Sequence, residues 1–440
     1  MNSRLQRFIK LSIPITVVSL LFQAFDLVDL FFIGQLGKEA IATAGFALTV
    51  FSFVLAPLDG FFESVTILAG EAYGVSDYKR LHALLYHALL LALGLGIISI
   101  MFFFPLSAIM GLLLSESEML EKSQQFLGIL CLAFVPTALN LVLSRFLLVM
   151  HHTREYAGLT LITMICNILF DWLFIFGHLG FPAFGVVGAA IAMLTARIFS
   201  AIFILSYLKW ITVPLFLGSP APKINRQIFW NLAKTGFPMA QAYFLEVSAW
   251  AVFISTISHL GVVPMAAHII GMRIKDIGYI FGAGAASMTT VQVAHAIARN
   301  DAVGAKKESS LAACWAVIMM EGVSILALVF SPLVIGIFSN DTEVIATSTT
   351  ILRIHILYQA CDAIFMIYRA ALVGLNDTLY VRNISLLGGW FVMIPVSLLL
   401  TNIMSFGVVG AWLGLTLNVS ISAIFYAGRF HFKLRDGINN

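Results

Sequence analysis

The feature that most constrains this chain is the length of its apolar runs. Stretch follows stretch of about 20 residues or more with hardly a charge, broken only by short polar clusters. A surface helix of a soluble protein carries one apolar stripe, whereas a segment apolar all round belongs in a core or in lipid. The charge content decides for lipid. Only 11% of the 440 residues are charged and 60% are hydrophobic, against about 25% charged in ordinary domains; the mean hydropathy is +0.98. The runs are continuous rather than alternating, so helices are expected and barrel strands are not.

With Gly, Pro and charge clusters as punctuation, helices are expected near 9–35, 41–71, 84–113, 125–150, 157–177, 185–208, 235–259, 265–298, 312–338, 350–374, 383–404 and 407–428. The expected fold is an all-α polytopic membrane protein with twelve transmembrane helices. That leaves no room for a separate soluble catalytic domain. The first apolar stretch carries Asp26 and Asp29 and continues to spanning length, so it reads as a membrane helix rather than a cleavable signal.

Basic residues set the orientation. Arg4, Arg7, Lys10, Lys79, Arg80, Arg154, Lys209, Lys223, Arg226, Lys234, Arg299, Lys306, Lys307, Arg382, Arg429, Lys433 and Arg435 fall on one side of the expected spans, while the opposite loops hold only Lys38 and Lys122. The positive-inside rule then puts both termini and the central linker in the cytoplasm. A bacterial inner (plasma) membrane is the expected location.

The chain also repeats itself. At an offset of 224, Lys10 matches Lys234, Pro14 matches Pro238, Leu36-Gly37 matches Leu260-Gly261, Ala72 matches Ala296, Asp77 matches Asp301 and Ser115 matches Ser339. Later the offset shifts slightly: Thr153 matches Thr378, and Phe184-Gly-Val-Val-Gly188-Ala189 matches Phe406-Gly-Val-Val-Gly410-Ala411. Apolar segments match by chance, but loop residues do not. Two six-helix bundles are expected, 1–208 and 235–440, joined by a linker at 209–234 with Pro214, Pro220 and Pro222. Six helices per copy keep both copies in the same orientation, which makes the repeat parallel, about an axis along the membrane normal.

Carboxylates in the spans are the chemical signal. One at the centre of a span costs at least ~2.5 kcal/mol, so it persists where it faces a partner, a cavity or an ion. The acids are Asp26 and Asp29 in helix 1, Asp59 and Glu63 in helix 2, Asp171 in helix 5, Glu246 in helix 7, Glu321 in helix 9 and Asp362 in helix 10. Asn167 and Asp171 stand four apart on one helix face and offer an amide oxygen and a carboxylate to one point. Asp29 is placed to join them from helix 1; such oxygens suit a proton or a hard cation. Alternatively each hydrogen-bonds a buried hydroxyl or backbone group. Glu246 and Asp362 are the most isolated acids, flanked by Tyr243, Phe244, Trp250, Phe365 and Tyr368. Arg145, Arg197, Arg273, Lys275, Arg353 and Arg369 read as snorkelling or paired, with Lys275 and Asp276 as one such pair.

Other chemistries lack their residues. The histidines show no metal-ligand spacing, and no P-loop, GxSxG or HExxH occurs, so an enzyme is not expected. Cys131, Cys166, Cys314 and Cys361 lie inside apolar runs without a CxxC pair and read as packing residues. A net charge of +3 is too small to argue for nucleic acid.

Several segments resemble the multidrug and toxic compound extrusion (MATE) transporters. These are Asp29-Leu-Phe-Phe-Ile-Gly34, Glu246-Val-Ser-Ala-Trp-Ala, Leu260-Gly261 with Ala266-Ala267-His268, and Cys361-Asp362-Ala363 leading to Gly374-Leu-Asn-Asp-Thr378. Their order and spacing cover essentially the whole chain. The resemblance implies a V-shaped pair of bundles, functioning as a monomer among membrane lipids, that exports organic cations or amphiphiles in exchange for H+ or Na+. It further implies a cation site of Asp29, Asn167 and Asp171 in the first half, able to hold Na+, and a cation-coupling or substrate site of Glu246 and Asp362 in the second. Tyr243, Phe365 and Tyr368 would line the substrate cavity. Where the family often has a Thr, this chain has Met193, with Thr195 two residues on counted with the cation-coupling residues of the first half; loss of the hydroxyl at 193 favours H+ as the coupling ion. The alternative is a flippase for lipid-linked oligosaccharides, a related class whose cavity is basic and whose spans often number fourteen.

Overall fold

The computed structural model describes residues 3–113, 117–216, 223–339 and 341–436, with side chains described throughout except at 3–12, 22, 25–27, 30, 38, 42, 112–113, 117–119, 211–216 and 436. The side chains of Arg4, Arg7, Lys10, Asp26, Lys38, Ser115, Pro214, Pro220 and Pro222 lie outside the described residues.

The described chain is all-helical. In order the helices are α1 (Ser3–Gly34), α2 (Lys38–Gly74), α3 (Tyr78–Ile100), α4 (Phe103–Leu113), α5 (Ser117–Leu132), α6 (Phe134–Val149), α7 (Thr153–Phe176) and α8 (Val186–Phe216). They continue with α9 (Arg226–Ser258), α10 (Val262–Ala298), α11 (Ala302–Val329), α12 (Ser331–Gly336), α13 (Thr342–Gly374), α14 (Thr378–Leu386), α15 (Ile394–Leu398) and α16 (Gly407–Asp436). Two π-helical stretches, Leu387–Met393 and Leu399–Ile403, flank α15. Among the described residues nine helices are long and apolar enough to cross a membrane, and ten if Leu120–Leu132 and Phe134–Val149 form one span bent by 43°. The protein is therefore an all-α polytopic membrane protein. Bulky apolar side chains on its outside, such as Phe104, Ile337 and Ile424, are those a lipid-facing surface calls for.

Proline places the breaks. Pro136 follows the bend between α5 and α6, and Pro105 and Pro332 follow the breaks before α4 and α12; each lacks an N–H and crowds the carbonyl four residues back. Pro395 sits between the two π-helical stretches, which widen the turn around it. By contrast α1, α2 and α9 run on through Pro14, Pro57 and Pro238. Membrane helices tolerate this where neighbours re-satisfy the freed carbonyl.

Several helices begin earlier than their apolar runs. α3 starts at Tyr78 and α11 at Ala302, because Asp77 and Asp301 cap them: their carboxylates accept from Arg80 N at 3.0 Å and Gly304 N at 2.7 Å. The interval expected as a linker, 209–234, is helical to Phe216 and again from Arg226.

Packing divides the chain into Val17–Ala240, here the N-unit, and Met1–Thr16 with Gln241–Asn440, the C-unit. The repeat recurs in backbone conformation. Gly37 and Gly261 have φ of 105° and 104°, Ser76 and Asn300 both 58°, and Gly185 and Gly407 56° and 55°. In the N-unit, Asp59 and Glu63 of α2 share Arg145 of α6 at 2.5 and 2.6 Å, which accounts for both acids as a clamp between helices. In the C-unit, Trp412 of α16 belongs to an apolar cluster with Phe253, Ile257, Ile351 and Tyr358.

Candidate functional site

The N-unit brings the expected triad together. α7 presents Asn167 and Asp171 one turn apart, and α1 carries Asp29 to them. Asn167 Nδ2 donates to Asp29 Oδ1 at 2.6 Å and to Asp171 Oδ2 at 2.8 Å. The three residues are 4%, 1% and 0% exposed. Both amide protons of Asn167 are thereby used, while Asn167 Oδ1 and Asp171 Oδ1 are buried without a hydrogen-bond partner. Open oxygen acceptors beside two carboxyls are the chemical groups that a proton or a hard cation takes as partners. Thr195 Oγ1 donates to Ile191 O of its own helix at 2.7 Å, and Met193 is buried.

The C-unit treats its two acids differently. Glu246 is not isolated: Arg369 Nη2 stands 3.0 Å from its Oε1, and Ser385 Oγ donates to the same oxygen at 2.7 Å. The guanidinium also lies 5.1 Å from the Tyr243 ring centroid. Asp362, buried in α13, keeps Oδ2 without a hydrogen-bond partner. Phe365 packs on Tyr426 at 5.4 Å and Tyr368 on Phe430 at 5.6 Å, so both rings rest against α16.

Sequence reasoning missed a polar group around Asp362. His355 and Gln359 of α13 are fully buried, and their ring and amide atoms have no hydrogen-bond partner; the same holds for Trp412 Nε1. His355 packs 6.0 Å from Trp412. The signal was present: positions 355, 359 and 362 are spaced four and three apart and share one helix face.

Buried carboxyls within long membrane helices are the kind of group that secondary transporters use. Among the described residues no cluster of three or more His, Cys, Asp or Glu is placed to hold a metal ion. The chain belongs to the MatE family, the multidrug and toxic compound extrusion transporters, whose model matches residues 14–173 and 238–399. The two matched stretches begin at the paired prolines, at the offset of 224. The chain is 24% identical over 443 residues to the multidrug resistance protein NorM of Aliivibrio fischeri, covering 98% of this chain and 95% of that one. It is 26% identical over 422 residues to a probable multidrug resistance protein NorM of Thermotoga maritima, covering 94% and 89%. Its fold is similar to a multidrug resistance MATE family transporter of the MOP superfamily in an outward-facing conformation, with TM-score 0.90, 19% identity and 100% and 98% coverage. A MOP superfamily transporter from Pyrococcus furiosus, described as having a binding pocket of reverse polarity, superposes with TM-score 0.89 at 19% identity, covering 99% and 97%.

Proposed function

We propose that this transporter exports organic cations or amphiphilic small molecules in exchange for H+ across the inner (plasma) membrane. It works as a monomer of twelve spans in two six-helix bundles, 1–208 and 235–440, linked by 209–234, with both termini in the cytoplasm. The carrying observation is the Asp29–Asn167–Asp171 cluster. Two carboxyls held by one amide in a low dielectric are costly as a pair of bare anions, by several kcal/mol. One proton shared between them removes most of that cost.

Substrate export then follows from exchange. With the proton in place, α1 and α7 are held together through Asn167; without it, two like charges face one amide and the packing of α1 on α7 weakens. Na+ is the second candidate ion, held by Asp29, Asn167 Oδ1 and Asp171. H+ is favoured because Met193 supplies no oxygen and the Thr195 hydroxyl already serves Ile191. In the C-half, Arg369 closes Glu246, which leaves Asp362 as the acid open to a cation or substrate. Tyr243, Phe365 and Tyr368 are proposed as cavity walls.

Proton release tests the reading. A lipophilic cationic dye added to purified protein in weak buffer should release about one proton per dye bound, and Asp29→Asn and Asp171→Asn should release none. Undiminished release from both variants, or none from wild type, sinks the proposal.

A further inference from the structure

The interior of the C-unit holds more unmet hydrogen-bonding capacity than export requires. Along α13, His355, Gln359 and Asp362 follow one another at four and three residues, so they share one helix face and cover about 10 Å of it. They are 0%, 0% and 5% exposed. Both ring nitrogens of His355, both amide atoms of Gln359 and Asp362 Oδ2 have no hydrogen-bond partner in the protein.

α10 supplies the facing wall. His268, Gly271 and Gly278 stand three and seven apart, again on one face. A Cβ at Gly271 would lie 2.9 Å from Trp412 Cζ2, and one at Gly278 would collide with Gln359 Nε2, so the two glycines seat those side chains. The Trp412 ring centroid lies 5.9 Å from that of His268 and 6.0 Å from that of His355. Trp412 Nε1 and His268 Nδ1 are buried without a partner as well.

Buried polar atoms left bare are destabilising, and a contiguous group of them calls for a ligand. Their donor and acceptor roles say which. Trp412 Nε1 and Gln359 Nε2 only donate, Gln359 Oε1 only accepts, and a neutral imidazole does one of each. A metal cation would answer the acceptors and leave the N–H groups bare; an anion would do the reverse. Water does both, and it fits between closely packed helices where it finds several polar partners.

We propose that the C-unit binds a file of ordered waters between α10, α13 and α16, running from His355 past Gln359 to Asp362. About three or four waters at ~2.8 Å spacing cover the distance. A cation or substrate that reaches Asp362 then meets a hydrated carboxyl, and must share or displace water to bind it. The charged groups nearby have partners of their own: Glu246 and Arg369 at 3.0 Å, Lys275 and Asp276 at 3.5 Å. The water site depends on the packing of the C-unit alone and does not rest on the exporter reading.

Radiolytic footprinting of the purified full chain is the test. An X-ray pulse generates hydroxyl radicals from bound water as well as from bulk, so side chains beside bound water are oxidised even where bulk water does not reach. Trp412 and His355 should be modified at least ~10-fold faster than Met110 and Met288, reactive side chains that are equally buried at 0%. In a double variant, His355→Leu with Gln359→Leu, modification of Trp412 should fall to the rate of the two methionines. Trp412 and His355 as slow as Met110 and Met288 in wild type would overturn the proposal, and that comparison needs no variant to fold. So would a double variant that melts cooperatively yet has Trp412 modified at the wild-type rate. Failure of the exporter reading would appear instead as transport unaffected by Asp29→Asn, and would leave the footprint unchanged.

Discussion

Glu246 and Arg369 hold each other in place, and the pair shows what a buried charge requires. The guanidinium has one anionic partner at 3.0 Å and one aromatic face at 5.1 Å. Glu246→Gln should therefore destabilise the protein by about 3–5 kcal/mol, because it strands the arginine, and Arg369→Met added to it should recover most of the loss. Thermal unfolding of the single and double variants in one detergent measures this; equal melting temperatures would refute it. Glu63→Gln should cost less, since Asp59 still holds Arg145 at 2.5 Å. At this scale the sequence disclosed only part of the site. Asn167 and Asp171 were legible because four residues make a helix turn, and Asp29 because an acid in a first span demands a partner. The partner of Glu246 was not legible: it lies on another helix, 123 residues away, and apolar spacing says nothing about which face of one helix meets which face of the next.

Between helices, small residues decide the approach. Gly188 near the start of α8 sits against the Phe174 carbonyl of α7, and Gly410 near the start of α16 sits against Leu400 of the preceding π-helical stretch. The chain closes onto itself there by Phe184 N–H donating to Phe174 O at 2.9 Å and Phe406 N–H to Leu400 O at 3.0 Å. This explains the repeated Phe-Gly-Val-Val-Gly-Ala: a Cβ at its last glycine would meet backbone, which cannot give way. Gly188→Ala and Gly410→Ala should each cost about 1–3 kcal/mol. Gly158→Ala, with open space at its Cβ, should be neutral or stabilising by up to ~1 kcal/mol. Melting curves that rank Gly158→Ala with the other two would show the contact to be unimportant. Helix existence was legible from apolar length, but starts were not, because capped polar turns such as those at Asp77 and Asp301 stay helical beyond the apolar run. The π-helical stretches around Pro395 likewise leave no periodic trace in an all-apolar segment.

Across the whole chain, the repeat was the most readable feature, since matched loop residues reappear as matched turns: Ser76 and Asn300 share φ of 58°. Orientation is open to direct test. A cysteine at Lys122 should react with an impermeant thiol reagent from outside intact cells, and one at Arg154 only after permeabilisation; the reverse pattern would invert the proposed topology. Transport itself is the central claim, and it reduces to whether the Asp29–Asn167–Asp171 cluster carries the proton that is exchanged. The most direct measurement is efflux of a cationic dye from proteoliposomes under an imposed pH gradient, wild type beside Asp29→Asn. Wild type should show efflux driven by the pH gradient without added Na+, and the variant a loss of at least ~10-fold, equivalent to about 1.4 kcal/mol of coupling. Full proton-driven efflux by Asp29→Asn, or wild-type efflux that needs Na+ and ignores the pH gradient, would contradict it.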